Sequence, residues 1–347
     1  MATTERRSFW SRITPGLTLM VLATLVAETL PGATRPSVYL SFPPVFIAET
    51  AVWGGGALIA RSLTRRWNLG WPSLLLLALA LAVAEEFIIQ QTSIAPMAIQ
   101  LQHVEYARAF GVNYVYFVWA AIYESVFVVL LPVMLAELIF PTRHTSVWGS
   151  WLGLAIAAFF FVPGAVMAWY GWVKIARPML HAAPYDPERP LLLGAVIAIV
   201  VLFFIAIGPF RRALAKPAKP MTPPAPFVLG LLGFVFAVLV EAFAVLAFGQ
   251  WPQVPPALPL GLAFAIVAAA ITLVPAWLAH PNWRPAHRYG LMFGPVVGNM
   301  VAGYVGYIWA TTPVDFWGKT VLDMIAVLAL VALGFRLGKA SSAAVPA

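Results

Sequence analysis

The chain contains no cysteine, which excludes disulfides, thiolate metal sites and a cysteine nucleophile. Charge is also scarce: Asp, Glu, Lys and Arg make up 10% of its 347 residues, against 62% that are hydrophobic. With a mean hydropathy of +0.87, a soluble globular fold is excluded. There is no HExxH, no Ser-His-Asp arrangement, no phosphate loop and no dinucleotide fingerprint, so no motif implies a cofactor. No internal repeat divides the chain, which counts against the usual architecture of secondary transporters.

What is present is a series of ten apolar runs, near 13–30, 45–62, 71–92, 114–140, 149–172, 191–210, 227–249, 258–279, 290–311 and 320–337. Each is about long enough to cross a hydrocarbon core of roughly 30 Å as a helix rising about 1.5 Å per residue. The connections are too short for a soluble domain. The sequence therefore predicts an all-α, polytopic bundle of about ten transmembrane helices, residues 1–347 forming a single membrane domain.

The net charge of +8 is an orientation signal and not a nucleic-acid patch. On a ten-helix topology, fifteen of the 21 Lys and Arg residues fall on one side, including Arg6, Arg7, Arg61, Arg65, Arg66, Arg211, Arg212 and Arg288. The positive-inside rule then places both termini in the cytoplasm and the chain in the plasma (inner) membrane. Arg6-Arg7-Ser8-Phe9 has the look of a twin-arginine signal core, but a polytopic chain without a prefolded soluble domain has no use for that route. It reads as a cytoplasmic anchor. The expected partners are the lipid bilayer and a cation or small-molecule ligand. The sequence does not determine an oligomeric state.

Proline and glycine mark the interruptions. Pro132, Pro163, Pro275 and Pro295 are expected to kink their helices, and Gly54-Gly55-Gly56 to permit close helix approach. Residues 211–227 read as a linker rich in Lys, Pro and Ala. Met97, Leu101 and Val104 follow helical spacing and predict a short interfacial helix within residues 92–113.

The acids are the most informative residues. Of thirteen, eight lie within or at the ends of apolar runs: Glu28, Glu49, Glu85, Glu86, Glu124, Glu137, Glu241 and Asp323. An unpaired carboxylate at bilayer depth costs several kcal/mol, so such residues are candidates for function. The predicted topology puts all of them except Glu137 in the outer leaflet, which suggests a polar cavity open to the outer face. Glu85, Glu86, Glu124 and Glu241 are the deepest, the candidates for ion or proton binding. Glu28, Glu49, Gln90 and His103 are placed at the cavity mouth. Asp323 follows Lys319 at the spacing of a helical salt bridge, and Glu137 lies close to Arg143 and His144. Both of these acids read as structural anchors. Glu85 and Glu86 are adjacent, so they cannot both stay ionised without a partner.

Glu85-Glu86-Phe87-Ile88-Ile89-Gln90 resembles EExxxR, the first motif of CAAX-protease-like (CPBP) intramembrane metalloproteases. That resemblance implies a metal-dependent hydrolase in which one glutamate activates water. The chain departs from the pattern, with Gln90 at the arginine position and its only FxxxH, Phe140 to His144, on the opposite predicted face. A broader likeness from Glu28 to Pro141 is to uncharacterised prokaryotic multi-pass proteins with a glycine-rich second helix and a Glu-Glu third helix. It implies no activity. The leading expectation is therefore binding or transport of protons or a cationic solute. The alternatives are an intramembrane hydrolase using Glu85 and Glu86, and a structural or assembly subunit.

Overall fold

The computed structural model describes residues 9–209, 219–309 and 311–343. The protein is 74% helical, and its only strands form one small hairpin among the described residues. Helix α1 (Phe9–Thr24) is followed by the short α2 (Pro36–Ser41) and by α3 (44–66). Then come α4 (Trp71–Ile89), α5 (Tyr114–Ile139), α6 (Trp151–Met179), α7 (Arg189–Ile207), α8 (Pro226–Ala247) and α9 (Ala257–Leu278). The chain closes with α10 (Pro285–Ala302), α11 (Val305–Trp309) and α12 (Pro313–Ala343).

Seven helices, α4 to α9 and α12, are long and apolar enough to span a membrane. The other three predicted segments are helical but irregular. The apolar stretch in the first is shorter, ending at Thr29. The second carries Arg61, Ser62, Thr64, Arg65 and Arg66 in its last turns, and the run predicted over 290–311 breaks after Ala302. Two predicted boundaries shift: α6 continues past Trp172 to Met179, and α12 begins at Pro313, which places Lys319 inside the helix. Arg6, Arg7 and residues 211–218 of the predicted linker lie outside the described residues; residues 219–225 are irregular and Pro226 opens α8.

Burial sorts the helices. In α4 and α5 more than half of the apolar window is buried, whereas α6, α7 and α9 bury only 11% of theirs. The centre is therefore α1, α3, α4 and α5, and α6, α7 and α9 present Phe159, Leu193 and Phe264 outward, as a lipid-facing surface does.

Small residues decide which helices touch. Gly290, Gly294 and Gly298 recur every fourth residue, a spacing that puts them on one face of α10, where each lies against the α8 backbone at Pro226, Gly230 and Phe234. Gly54 of α3 lies against Met20 of α1 in the same way, where an added Cβ would sit 2.6 Å from the Met20 Cα. The close approach expected at the glycine run is thus present.

Residues 92–113 do not form the predicted interfacial helix. Pro96 interrupts the segment, and His103, Ala107 and Phe110 have positive φ, which a right-handed helix does not allow. The segment instead closes on Arg108. This guanidinium donates to Ile94 O (2.7 Å), Ala95 O (2.9 Å), Gly111 O (3.2 Å) and the Glu105 carboxylate (3.1 Å). A hairpin, Arg108–Ala109 with Val112–Asn113, leads directly into α5.

Candidate functional site

Of the five π turns among the described residues, four lie at acids. A π turn at Leu25–Thr29 contains Glu28, and one at Thr50–Gly54 begins just after Glu49. The turn Glu85–Ile89 opens with Glu85 and Glu86, and Glu124–Leu130 opens with Glu124. A π turn adds one residue to the helical circuit, which re-aims side chains and loosens the backbone ladder, and such turns recur at functional sites. A fifth, Tyr170–Ala176, contains no acid.

These turns direct five carboxyls inward. Glu85 and Glu86 are 0% and 1% exposed, Glu49 6% and Glu124 7%. Glu85 and Glu124 come within hydrogen-bonding reach of each other. Glu86 accepts a hydrogen bond from Ser93 at 2.7 Å. Glu49 accepts from Tyr39 and from Thr34, both at 2.6 Å, and Thr34 Oγ1 also lies 3.3 Å from Glu28. Burial, together with the Glu49 and Glu28 carboxyls, holds the Tyr39 phenol above its ordinary range, so Tyr39 remains a donor.

Two of these contacts require a proton. Ionised carboxylates only accept, and as carboxylates both Glu85 oxygens and Glu124 Oε2 are buried without a donor. A proton on either residue turns the pair into a hydrogen bond. Thr34 has one hydroxyl hydrogen, so its contacts with Glu49 and Glu28 are both hydrogen bonds only when one of these two carboxyls is the donor. Among the described residues none of the five carboxyls forms an ion pair. Only protons or a bound cation would then neutralise them.

Around the outward cavity expected from the sequence, Glu85, Glu86 and Glu124 are buried. Of the four residues placed at its mouth, Glu49 is buried, Glu28 and Gln90 are partly covered and His103 is exposed. Glu241 also stays apart from the Glu85–Glu124 pair. It lies on α8, its charge facing Lys319 and Tyr123. Tyr123 stands between the two groups, donating to Ala27 O (2.6 Å) and accepting from Asn299 (3.3 Å).

The pairing of Lys319 with Asp323 is present at 2.7 Å. Lys319 is fully buried and also donates to Leu30 O and to Met300 O (2.9 Å), tying α12 to the ends of α1 and α10. Glu137 is an anchor with different partners from those expected. It pairs with Arg61 (3.1 Å) and Arg65 (2.6 Å) of α3 and with Arg288 of α10.

His144 is exposed at the Glu137 end of α5 and contacts Pro141 O (2.6 Å), far from Glu85 and Glu86. Among the described residues no group of three or more His, Asp or Glu side chains is placed to hold a metal ion, so the ligand set implied by the protease-like motif is not assembled there. Sequence reading named Tyr123 as a polar neighbour of Glu124 but missed Thr34, Tyr39 and Ser93, since hydroxyls are common in membrane helices. Asn299 was the detectable one, a lone amide in an otherwise apolar run.

The chain matches no family model, no curated protein and no solved structure, so the geometry of these carboxyls is what a functional reading has to rest on.

Proposed function

We propose that this protein binds protons, or a cationic solute that replaces them, at Glu85, Glu86 and Glu124, and carries them between this site and the outer face. Glu28 and Glu49 form the approach and Glu241 a separate acidic station on α8. The observation that carries this reading is the Glu85–Glu124 pair, two carboxyls on neighbouring helices with no base beside them. Carboxyl pairs of this kind hold one proton between them, because two like charges at close range are strongly unfavourable. Exchange of that proton for a cation would need only a local opening at the π turns.

The chain is read as residing in the inner membrane with ten spans, α1, α3 and α10 joining the seven apolar helices, and with both termini cytoplasmic. Because there is no native cysteine, single cysteines at 100 and 145 report sidedness cleanly. Labelling of position 100 from the cytoplasmic side alone would overturn the topology.

The functional test is proton movement in proteoliposomes containing a pH-sensitive dye, with and without monovalent and divalent cations outside. Wild type should alter the internal pH in response to a cation gradient, and Glu85→Gln and Glu124→Gln should not. Equal responses from wild type and both variants, each shown to be folded, would refute the proposal.

A further inference from the structure

At the opposite end of α5 the charge imbalance is reversed. Arg61, Arg65, Arg66, Arg143, Arg288 and Arg336 gather around the last turn of α5 and the loop that follows, with Glu137 the only acid there among the described residues. The run from Glu124 to Glu137 separates the two ends by about 20 Å.

The arginines divide by burial. Arg61 is fully buried and donates to Glu137 (3.1 Å), Ser146 O (3.3 Å) and His144 O (3.0 Å). Arg336 caps Leu138 O and Ile139 O. The carbonyl end of a helix offers only about half a negative charge. One carboxylate and one helix end leave several positive charges uncompensated. The side chains of Arg65 and Arg288 are 29% and 25% exposed, so each keeps an accessible part beside its contact with Glu137. Arg66 lies 4.3 Å over the Trp151 ring and donates to Gly149 O, while its Nε is buried without a partner.

We propose that Arg65, Arg66 and Arg288 hold the phosphate of an anionic phospholipid. Flat guanidinium forks suit a phosphate's several oxygens. A lipid is favoured over a free anion by what surrounds the arginines. Trp67 and Trp151 are exposed beside them, as aromatic residues at headgroup depth are. From Trp151 the almost uncovered face of α6 continues through Leu152, Ile156 and Phe159, where an acyl chain would lie.

The test is native mass spectrometry of the full chain in detergent, titrated with phosphatidylglycerol or phosphatidylcholine, and with inorganic phosphate as competitor. Phosphatidylglycerol should bind in preference. Its affinity should fall about fivefold for each arginine lost in Arg65→Gln and Arg66→Gln, and not in Lys174→Gln at the far end. Arg66→Lys, which keeps the charge and leaves the fold undisturbed, should bind at intermediate strength. Equal binding of the two lipids, unchanged binding in the variants, or full displacement by inorganic phosphate would overturn the proposal.

Discussion

Glu85 on α4 and Glu124 on α5 face each other, and each is the first residue of a π turn. The two helices thus widen where their carboxyls meet. On the proposed function this pair shares a proton in the folded protein that the unfolded chain, with carboxyl pKa values near about 4.3, releases at neutral pH. The folded state therefore binds more protons than the unfolded state, and stability must fall as pH rises.

The first prediction follows from that sign. Thermal unfolding in detergent should show wild type losing stability between about pH 5 and 9, and Glu85→Gln showing a flatter profile. At low pH the variant should differ from wild type by less than about 1 kcal/mol, because Gln keeps the shape and one hydrogen bond. Parallel pH profiles would mean that the pair does not hold the proton.

Glu137 should be far less tolerant. Glu137→Gln leaves Arg61 buried and without its counter-charge, with Arg65 and Arg288 turned toward it. Loss of one partner from a buried ion cluster costs about 3–5 kcal/mol. A fall in melting temperature several times that of Glu85→Gln is expected. Near-equal effects would show that the arginines find other partners.

The α8–α10 contact allows a matched comparison. A Cβ at Gly298 would lie 2.7 Å from Phe234 O, whereas one at Gly171 meets nothing within 4 Å. Gly298→Ala should destabilise by about 1–3 kcal/mol, as overpacking does, and Gly171→Ala should be neutral or slightly stabilising. The pair of melting temperatures decides it.

Arg108 should govern the order of residues 92–113. Arg108→Gln cannot reproduce the four contacts to Ile94, Ala95, Gly111 and Glu105. Hydrogen exchange should quicken across this segment, while α4 and α5 stay protected. Unchanged exchange at 94–111 would show that packing of Tyr106 and Met97 suffices without the arginine.

The sequence alone determined the helical class and the approximate positions of the seven long apolar helices, because apolar run length and the obligation to satisfy backbone groups in lipid leave few other solutions. It also singled out the acids, since a carboxylate without a nearby base is conspicuous in an apolar run, and it found Lys319 with Asp323 from helical spacing alone. Which acids meet was decided only by the fold. Glu85 and Glu124 pair because π turns rotate them toward each other, and a single inserted turn residue leaves no periodic trace in the sequence. Glu137 pairs with Arg61, Arg65 and Arg288, which are distant in sequence, because α3 and α10 pack against the end of α5. Residues 92–113 have helical apolar spacing but no helix. There the contacts of one partly buried guanidinium with the carbonyls of Ile94 and Ala95, 14 and 13 residues earlier, override local periodicity, and only a folded chain brings those carbonyls within its reach.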